Sequence, residues 1–209
     1  WGFWPKAEAM DGISAILLAA GESTRMGRLK ALLPWQDLTL VEYQIQSLQR
    51  AGVAEVVLVV GHRGDEVEAP VKGKPGVKAV ANPDYRQGKT TSIKTGLRHL
   101  SNSVQGVLVL AVDQPRPVHI LESLVKAHQE WGALITCPVY RGHTGHPLIF
   151  AYSLLPELMA ITEEGQGLRE VTHRHSENTY RLEVDSPIVT VDVNSPEDLR
   201  EAQRLFAGS

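Results

Sequence analysis

Two cations follow an apolar run and a small-residue turn in the stretch LLAAGESTRMGRLKALLP. Ala19, Ala20 and Gly21 carry little or no side chain, so a ligand can approach the main chain closely there. Successive backbone N–H groups in such a turn form a concavity that binds anions, and Arg25 and Lys30 add two positive charges. The stretch predicts a polyphosphate site, although a tight strand-to-helix turn with two solvated cations fits the spacing as well.

A second anion-binding candidate is the stretch QGKTTS, in which Gly88 precedes a run of hydroxyl side chains. The letters GKT suggest a Walker phosphate loop, but Pro83 occupies the position of that motif's first glycine, so the motif is excluded. Gly88 with Thr91 and Ser92 still describes a helix N-terminus, which binds a phosphate or caps its own helix. Taken alone, the stretch favours the capping interpretation.

Oxygen-bearing side chains suited to a divalent cation follow later apolar runs. Asp113 ends the run GVLVLAVD, and beside a polyphosphate it would suit Mg²⁺, which binds few protein carboxylates and shares phosphate oxygens. Asp192 and Asn194 stand two residues apart in VDVN, and on a strand they would share one face. These three side chains form the predicted metal site. The alternatives are turn formation by Asp113 before a proline and by Asn194 before the last helix.

The remaining chemistry-bearing residues give little support to other reactions. His143 and His146 lie in the glycine-rich stretch RGHTGHP, near Cys137, but their spacing matches no standard zinc pattern. The sequence has no G-x-S-x-G motif for a hydrolase. A net charge of −3 argues against a nucleic-acid partner. No apolar run is long enough to span a membrane. The single cysteine excludes an internal disulfide and fits a reducing, cytoplasmic location.

The elements that must position these residues alternate between strands and helices. Helix-period segments cover 39–52, 90–100, 118–132, 154–161, 167–175 and 195–206, and strand-length apolar runs cover 13–20, 54–61, 77–83, 106–115, 133–140, 180–186 and 188–194. Such alternation predicts a mostly parallel sheet with helices on both faces, and in such sheets ligands bind beyond the carboxyl ends of the strands. Residues 12–209 are predicted to form one domain, preceded by an extension or added residues at 1–11.

These motifs, in this order, resemble the MobA/MocA-like nucleotidyltransferases, which attach a nucleotide to molybdopterin. The family signature that follows the first strand is complete here as LAAGESTRMGRLK, and it is followed by NPDYRQGKTTSIKTGL, VDQP, GHP and VDVNSPEDL. The resemblance runs from about Ile13 to Phe206. It implies a three-layer, Rossmann-like α/β fold of the nucleotide-diphospho-sugar transferase type, with a mostly parallel sheet and helices on both faces.

The resemblance also implies roles for individual residues. It assigns catalysis to Arg25, Lys30 and Asp113. It assigns nucleotide binding to Leu18, Ala19, Ala20, Gly21, Arg25, Lys30, Asn82, Gly88, Thr91 and Ser92. It assigns acceptor binding to Gln114, Gly145, His146, Pro147 and Arg169, and Mg²⁺ binding to Asp113, Asp192 and Asn194.

Within this family, LAAG together with DQP is typical of the branch that transfers cytidylyl groups. The resemblance therefore implies transfer of CMP from CTP to the terminal phosphate of molybdopterin, with release of pyrophosphate. A molybdenum hydroxylase or its maturation chaperone is the implied protein partner.

Two departures from the family pattern concern the acceptor. In GQGLR, Gly165 occupies the position of an expected acid, with Glu163 and Glu164 close by, and the hydroxyl run after Gly88 has few serines. Three alternatives stay open: a guanylyl or other nucleotidyl donor, a sugar or polyol phosphate acceptor, and a carrier of the finished cofactor without catalysis.

Overall fold

The computed structural model describes residues 12–23, 26–101 and 104–207. Its strands in these ranges are β1 (Ile13–Ala19), β2 (Pro34–Trp35), β3 (Leu38–Thr39), β4 (Glu55–Val60), β5 (Val77–Ala81), β6 (Gly106–Ala111), β7 (Ile135–Tyr140), β8 (His143–Thr144), β9 (Leu148–Ala151) and β10 (Thr179–Glu183). Its α-helices are α1 (Leu40–Arg50), α2 (Gly64–Glu68), α3 (Lys89–Arg98), α4 (Val118–Trp131), α5 (Leu155–Ala160), α6 (Leu168–Arg174) and α7 (Pro196–Ala207).

Eight strands of the described chain form one sheet, in the order β10-β7-β9-β6-β1-β4-β5, with β8 paired to β7. The pairs β1–β4, β1–β6, β4–β5 and β7–β10 are parallel, and β9 runs antiparallel to both β6 and β7. The prediction of a mostly parallel sheet is therefore confirmed. Since β1, β4, β5 and β6 run in the same direction, the loops that follow them meet at one edge of the sheet.

Side chains of β1 alternate between two hydrophobic cores, one on each face of the sheet. Ile13, Ala15 and Leu17 pack in the core that contains buried residues of α1, α4 and α7. Ile16 and Leu18 pack in the other core, with buried residues of α3, α5 and α6. Helices thus cover both faces, which confirms the three-layer arrangement.

The strand predicted over 188–194 is wrong. Residues Pro187–Thr190 form a 3₁₀ turn, in which the Ser186 hydroxyl accepts a hydrogen bond from the backbone N–H of Ile188. Proline lacks an N–H group for a strand ladder and fits the first position of a helical turn. Asp192 and Asn194 therefore follow a turn and do not share a strand face.

The C-terminal helix begins as predicted, with Ser195 before Pro196. The Ser195 hydroxyl accepts from the backbone N–H of Asp198 at 3.2 Å, and the Asp198 carboxylate accepts from the backbone N–H groups of Asn194 at 2.9 Å and Ser195 at 2.8 Å. This reciprocal cap also holds the backbone of Asn194 against the start of α7.

Among the described residues, no helix combines the length and apolar character needed to cross a membrane. The assignment of residues 12–209 to one domain stays a prediction, and residues 1–11 lie outside the described ranges.

Candidate active site

The loop after β1 forms one wall of a cavity of about 350 Å³. This wall includes the predicted nucleotide-binding residues Leu18, Ala19, Ala20 and Gly21. The loop after β4 packs against it so closely that a Cβ on Gly61 would lie 2.7 Å from the carbonyl oxygen of Ala20. The small-residue turn thus lines the first cavity. Arg25 lies outside the described residues.

Lys30 brings together two of the three residues predicted to bind a metal. Its Nζ donates hydrogen bonds to Oδ2 of Asp113 and to Oδ1 of Asn194, each at 2.7 Å. The backbone N–H of Lys30 donates to the hydroxyl of Ser23 at 3.0 Å, which fixes the start of the turn that carries the lysine. Three segments far apart in the chain therefore meet at one ammonium group.

The backbone also joins the segments that carry the carboxylates. The N–H of Val193 donates to the carbonyl oxygen of Asp113 at 2.7 Å. The Asp192 carboxylate accepts from Nε2 of Gln114 at 2.9 Å, and Oε1 of Gln114 accepts from the backbone N–H of Ala111 at 3.2 Å. Gln114, predicted to contact the acceptor, is buried and bonds to Asp192 and the end of β6.

The oxygen pair around Lys30 fits a divalent cation. Asp113 and Asn194 already direct one oxygen each at a single cationic group. Within the described residues, no group of three or more His, Cys, Asp or Glu side chains is suited to a metal. The few protein oxygens present match Mg²⁺, which usually keeps water and substrate phosphate as its other ligands.

Asn82 supports the opposite wall of the first cavity. Its Nδ2 donates to the hydroxyls of Thr91 and Ser92, both at 2.9 Å, and its Oδ1 accepts from the backbone N–H of Asp84 at 3.0 Å. Ser92 and Gly88 line the cavity, whereas Asn82 and Thr91 are not among its described lining residues. The side chain of Asn82 therefore orders the start of α3.

The N-terminus of α3 has a carboxylate partner from a distant loop. Oε1 of Glu163 accepts from the backbone N–H of Thr90 at 2.6 Å. A Cβ on Gly88 would collide with this carboxylate, and the residue has a φ of +124°. The positive φ favours glycine at this position, and a larger residue would in addition displace the Glu163 side chain from the N-terminus of α3.

A second cavity, of about 770 Å³, contains three of the five predicted acceptor residues: Gly145, His146 and Arg169. Cys137, His173 and Arg181 also line it, whereas Gln114 and Pro147 are not among its described lining residues. Burial lowers the pKa of His146 to about 4, with smaller contributions from the charges of Lys89 and Arg116. The imidazole is therefore neutral at pH 7.

Several residues that line the first cavity have no role predicted from the sequence, and two of them carry polar side chains close to the predicted nucleotide-binding residues. Tyr85 and Lys89 both line it, and the charge of Lys89 also reaches His146 in the second cavity. The sequence signal for both was their position in NPDYRQGKT, next to residues already assigned to nucleotide binding. Lys89 therefore lines the first cavity and acts electrostatically on a residue of the second.

The sheet, the small-residue loop and the oxygens of Asp113 and Asn194 are the arrangement expected of a nucleotidyltransferase, a transferase of the EC 2.7.7 type. Residues 15–179 match the MobA-like NTP transferase domain, and the chain belongs to that family. The family expected from the motifs is thereby confirmed.

Three proteins are similar to this chain over most of its length. The molybdenum cofactor cytidylyltransferase of Escherichia coli (strain K12) is 26% identical over 200 residues, which cover 94% of this chain and 98% of that protein. The nicotine blue oxidoreductase of Paenarthrobacter nicotinovorans is 32% identical over 168 residues, which cover 75% of this chain and 79% of that protein.

The third relative is a solved structure, Rv0371c from Mycobacterium tuberculosis H37Rv. It has a TM-score of 0.81 at 25% identity and covers 93% of this chain and 99% of that one. The same protein was also solved in complex with manganese, with a TM-score of 0.74 at 24% identity. Since the two curated relatives are named for different activities, membership of the family leaves the substrate open.

Proposed function

We propose that this protein transfers CMP from CTP to the terminal phosphate of molybdopterin and releases pyrophosphate. The observation that carries the proposal is the meeting of Lys30, Asp113 and Asn194 beside the small-residue loop. The choice of CTP and molybdopterin is supported by LAAG and DQP and by the similarity to the E. coli cytidylyltransferase over nearly the whole chain.

The triphosphate binds in the first cavity, against the backbone N–H groups of the loop after β1. Arg25, from the same loop, is included in the proposal on the basis of the sequence alone. Asp113 and Asn194 hold Mg²⁺, with Asp192 kept nearby through Gln114. When bound, Mg²⁺ neutralises charge on the phosphates. That Rv0371c was solved in complex with manganese is consistent with a divalent cation in this protein.

The chemistry needs alignment and charge rather than a strong base. The attacking phosphate is already an anion, and negative charge grows on the leaving pyrophosphate as the bond breaks. The Lys30 ammonium, 2.7 Å from Asp113, is available to meet that charge by moving from carboxylate to phosphate. Its loss would remove stabilisation that is greatest in the transition state.

The acceptor binds in the second cavity. Arg169 and Arg181 line it and supply positive charge for an anionic ligand. The neutral imidazole of His146 offers a hydrogen bond there without adding charge. Lys89, which lines the first cavity, adds positive charge for the phosphates that bind there. A cytoplasmic reaction and delivery of the product to a molybdenum hydroxylase or its chaperone complete the proposal.

The proposal is tested by pyrophosphate release with CTP, GTP, ATP and UTP, each with and without molybdopterin. We expect turnover with CTP that requires molybdopterin and Mg²⁺. CTP at 100 times its dissociation constant should also stabilise the fold by about 2.7 kcal/mol in thermal unfolding. A preference for GTP would overturn the choice of donor. Tight cofactor binding without turnover of any nucleotide would favour the carrier alternative.

A further inference from the structure

Arg116 is a fully buried cation that the proposed reaction leaves unexplained. None of the ion pairs found among the described residues involves it. Burial lowers its pKa to about 9, while the charges of Asp192 and Asp113 act in the opposite direction. A buried charge without a direct carboxylate partner costs stability, so its other contacts indicate what it does.

The guanidinium donates to four main-chain carbonyl oxygens. Nε donates to His146 at 2.8 Å, and Nη2 donates to Val189 at 2.9 Å. Nη1 donates to Pro115 at 2.8 Å and to Val191 at 3.1 Å. Guanidinium has five N–H groups in a rigid fork, so one side chain can hold carbonyl groups of several segments at fixed separations.

These carbonyl groups belong to three segments: the loop that carries Asp113, the 189–191 stretch before Asp192, and the loop of His146. Arg116 lies three residues after Asp113 in the loop between β6 and α4, and Val191 directly precedes Asp192. His146 lies in the loop before β9, and its N–H donates to the same Val189 oxygen that accepts from Arg116, at 2.8 Å. The hydrogen bonds of Arg116 therefore join both predicted metal-binding segments and the wall of the second cavity.

The fit between these segments leaves no room for an intervening side chain. A Cβ on Gly145 would collide with the carbonyl group of Val189. The N–H of Val193 lies 2.7 Å from the carbonyl oxygen of Asp113. A displacement of the 187–190 turn would therefore change the position of Asn194 relative to Asp113.

We propose that Arg116 is a positioning residue, which holds the segments of Asp113 and Asn194 at the separation required by one divalent cation. This inference rests on the proposed function, because it takes Asp113 and Asn194 as the metal-binding oxygens. Arg116 itself touches neither the cation site nor the cavity surface, and it acts through the backbone of its partners.

The test is Mn²⁺ affinity, measured by electron paramagnetic resonance with a non-hydrolysable CTP analogue present. Arg116→Lys keeps the charge, but a single ammonium nitrogen cannot reach carbonyl groups on three segments. Arg116→Met removes both the charge and the hydrogen bonds. We expect the dissociation constant for Mn²⁺ to rise about 10- to 100-fold in either variant, as when a partner that orients metal ligands is lost.

A destabilised control separates positioning from general loss of stability. Leu48→Val alters a fully buried side chain on α1 that lines neither cavity; we expect it to lower the melting temperature and leave Mn²⁺ affinity unchanged. Wild-type affinity in Arg116→Lys would overturn the proposal, and this variant decides the matter if Arg116→Met does not fold. If the wild-type protein itself binds no Mn²⁺, the metal site of the proposed function fails, and this inference fails with it.

Discussion

In the proposed site, Lys30 and the divalent cation would have the same oxygen partners. The lysine ammonium lies 2.7 Å from both Asp113 and Asn194, at oxygens suited to a hard metal ion. Two cations held at the same Asp113 and Asn194 side chains would repel each other. We therefore expect Lys30 to leave its carboxylate partner when metal and triphosphate bind together, since the phosphates then offer it a new anionic partner.

Replacing Lys30 by alanine should lower turnover about 100-fold or more, as when one well-placed charge-stabilising group is removed. Pyrophosphate release at saturating CTP and Mg²⁺ measures this effect. Lys126→Ala, which removes an exposed lysine on α4, is the matched control and should keep full activity. Turnover of Lys30→Ala within twofold of the wild-type value would exclude a transition-state role for the lysine.

Replacing Asp113 by alanine should raise the Mg²⁺ concentration needed for half-maximal activity, because one of the two proposed oxygen ligands is lost. Activity is measured across a Mg²⁺ series at fixed CTP. Asp185→Ala removes an exposed carboxylate elsewhere and should leave the midpoint unchanged. Full activity of Asp113→Ala at limiting Mg²⁺ would show that the metal is held elsewhere.

At the level of elements, the start of α7 serves both the fold and the site. Ser195 and Asp198 cap the helix, and the Asp198 carboxylate also accepts from the backbone N–H of Asn194 at 2.9 Å. The hydrogen bond from Asn194 is the main cause that lowers the pKa of Asp198. The cap therefore determines the direction from which Asn194 approaches Lys30.

Two substitutions in this cap should differ in their effects on stability and on metal binding. Ser195→Ala should cost about 1 kcal/mol in the free energy of unfolding, a typical value for a lost N-cap. Asp198→Ala should also lower stability. It should in addition raise the Mg²⁺ concentration needed for half-maximal activity, because it releases the backbone of Asn194. Urea unfolding and the Mg²⁺ series measure the two effects, with Glu197→Ala in the same first turn as the control. An equal Mg²⁺ midpoint in Asp198→Ala and wild type would show that the cap does not influence metal binding by Asn194.

At the scale of the whole molecule, two buried histidines couple folding to pH. Nδ1 of His128 is hydrogen-bonded to the Thr136 hydroxyl at 2.9 Å, and burial lowers the pKa of His128 to about 4. The pKa of His146 is likewise about 4, chiefly because of burial. Both pKa values lie below the ordinary value of about 6.5.

Stability should therefore fall as the pH drops from about 6.5 towards 4, because the unfolded chain then binds protons that the folded state excludes. Each histidine contributes a slope of up to about 1.4 kcal/mol per pH unit in this window. His128→Gln should remove the contribution of His128 to this slope, which corresponds to about one bound proton. Urea unfolding at a series of pH values measures the slope. An unchanged slope in this variant would contradict the buried, neutral state of His128.

Local patterns of the chain were sufficient for much of the architecture. Alternating apolar runs and helix-period segments predicted the parallel sheet and its two helical layers, since burial on two faces requires continuous apolar strands. Ser195 and Pro196 predicted the start of α7 because capping depends on adjacent residues. The predicted positions of Lys30 and Asp113 at strand ends followed from the direction of parallel strands.

Contacts between distant segments were decided only by the tertiary structure. The 187–190 turn has strand-like residues, but Ser186 and Pro187 close it locally, and its carbonyl groups bond to Arg116. β9 becomes a strand because it inserts antiparallel between β6 and β7. Lys30 and Asn194 are 164 residues apart. Spacing along a chain reports local burial and turns, whereas the partners of a side chain such as Arg116 depend on how the packed elements meet.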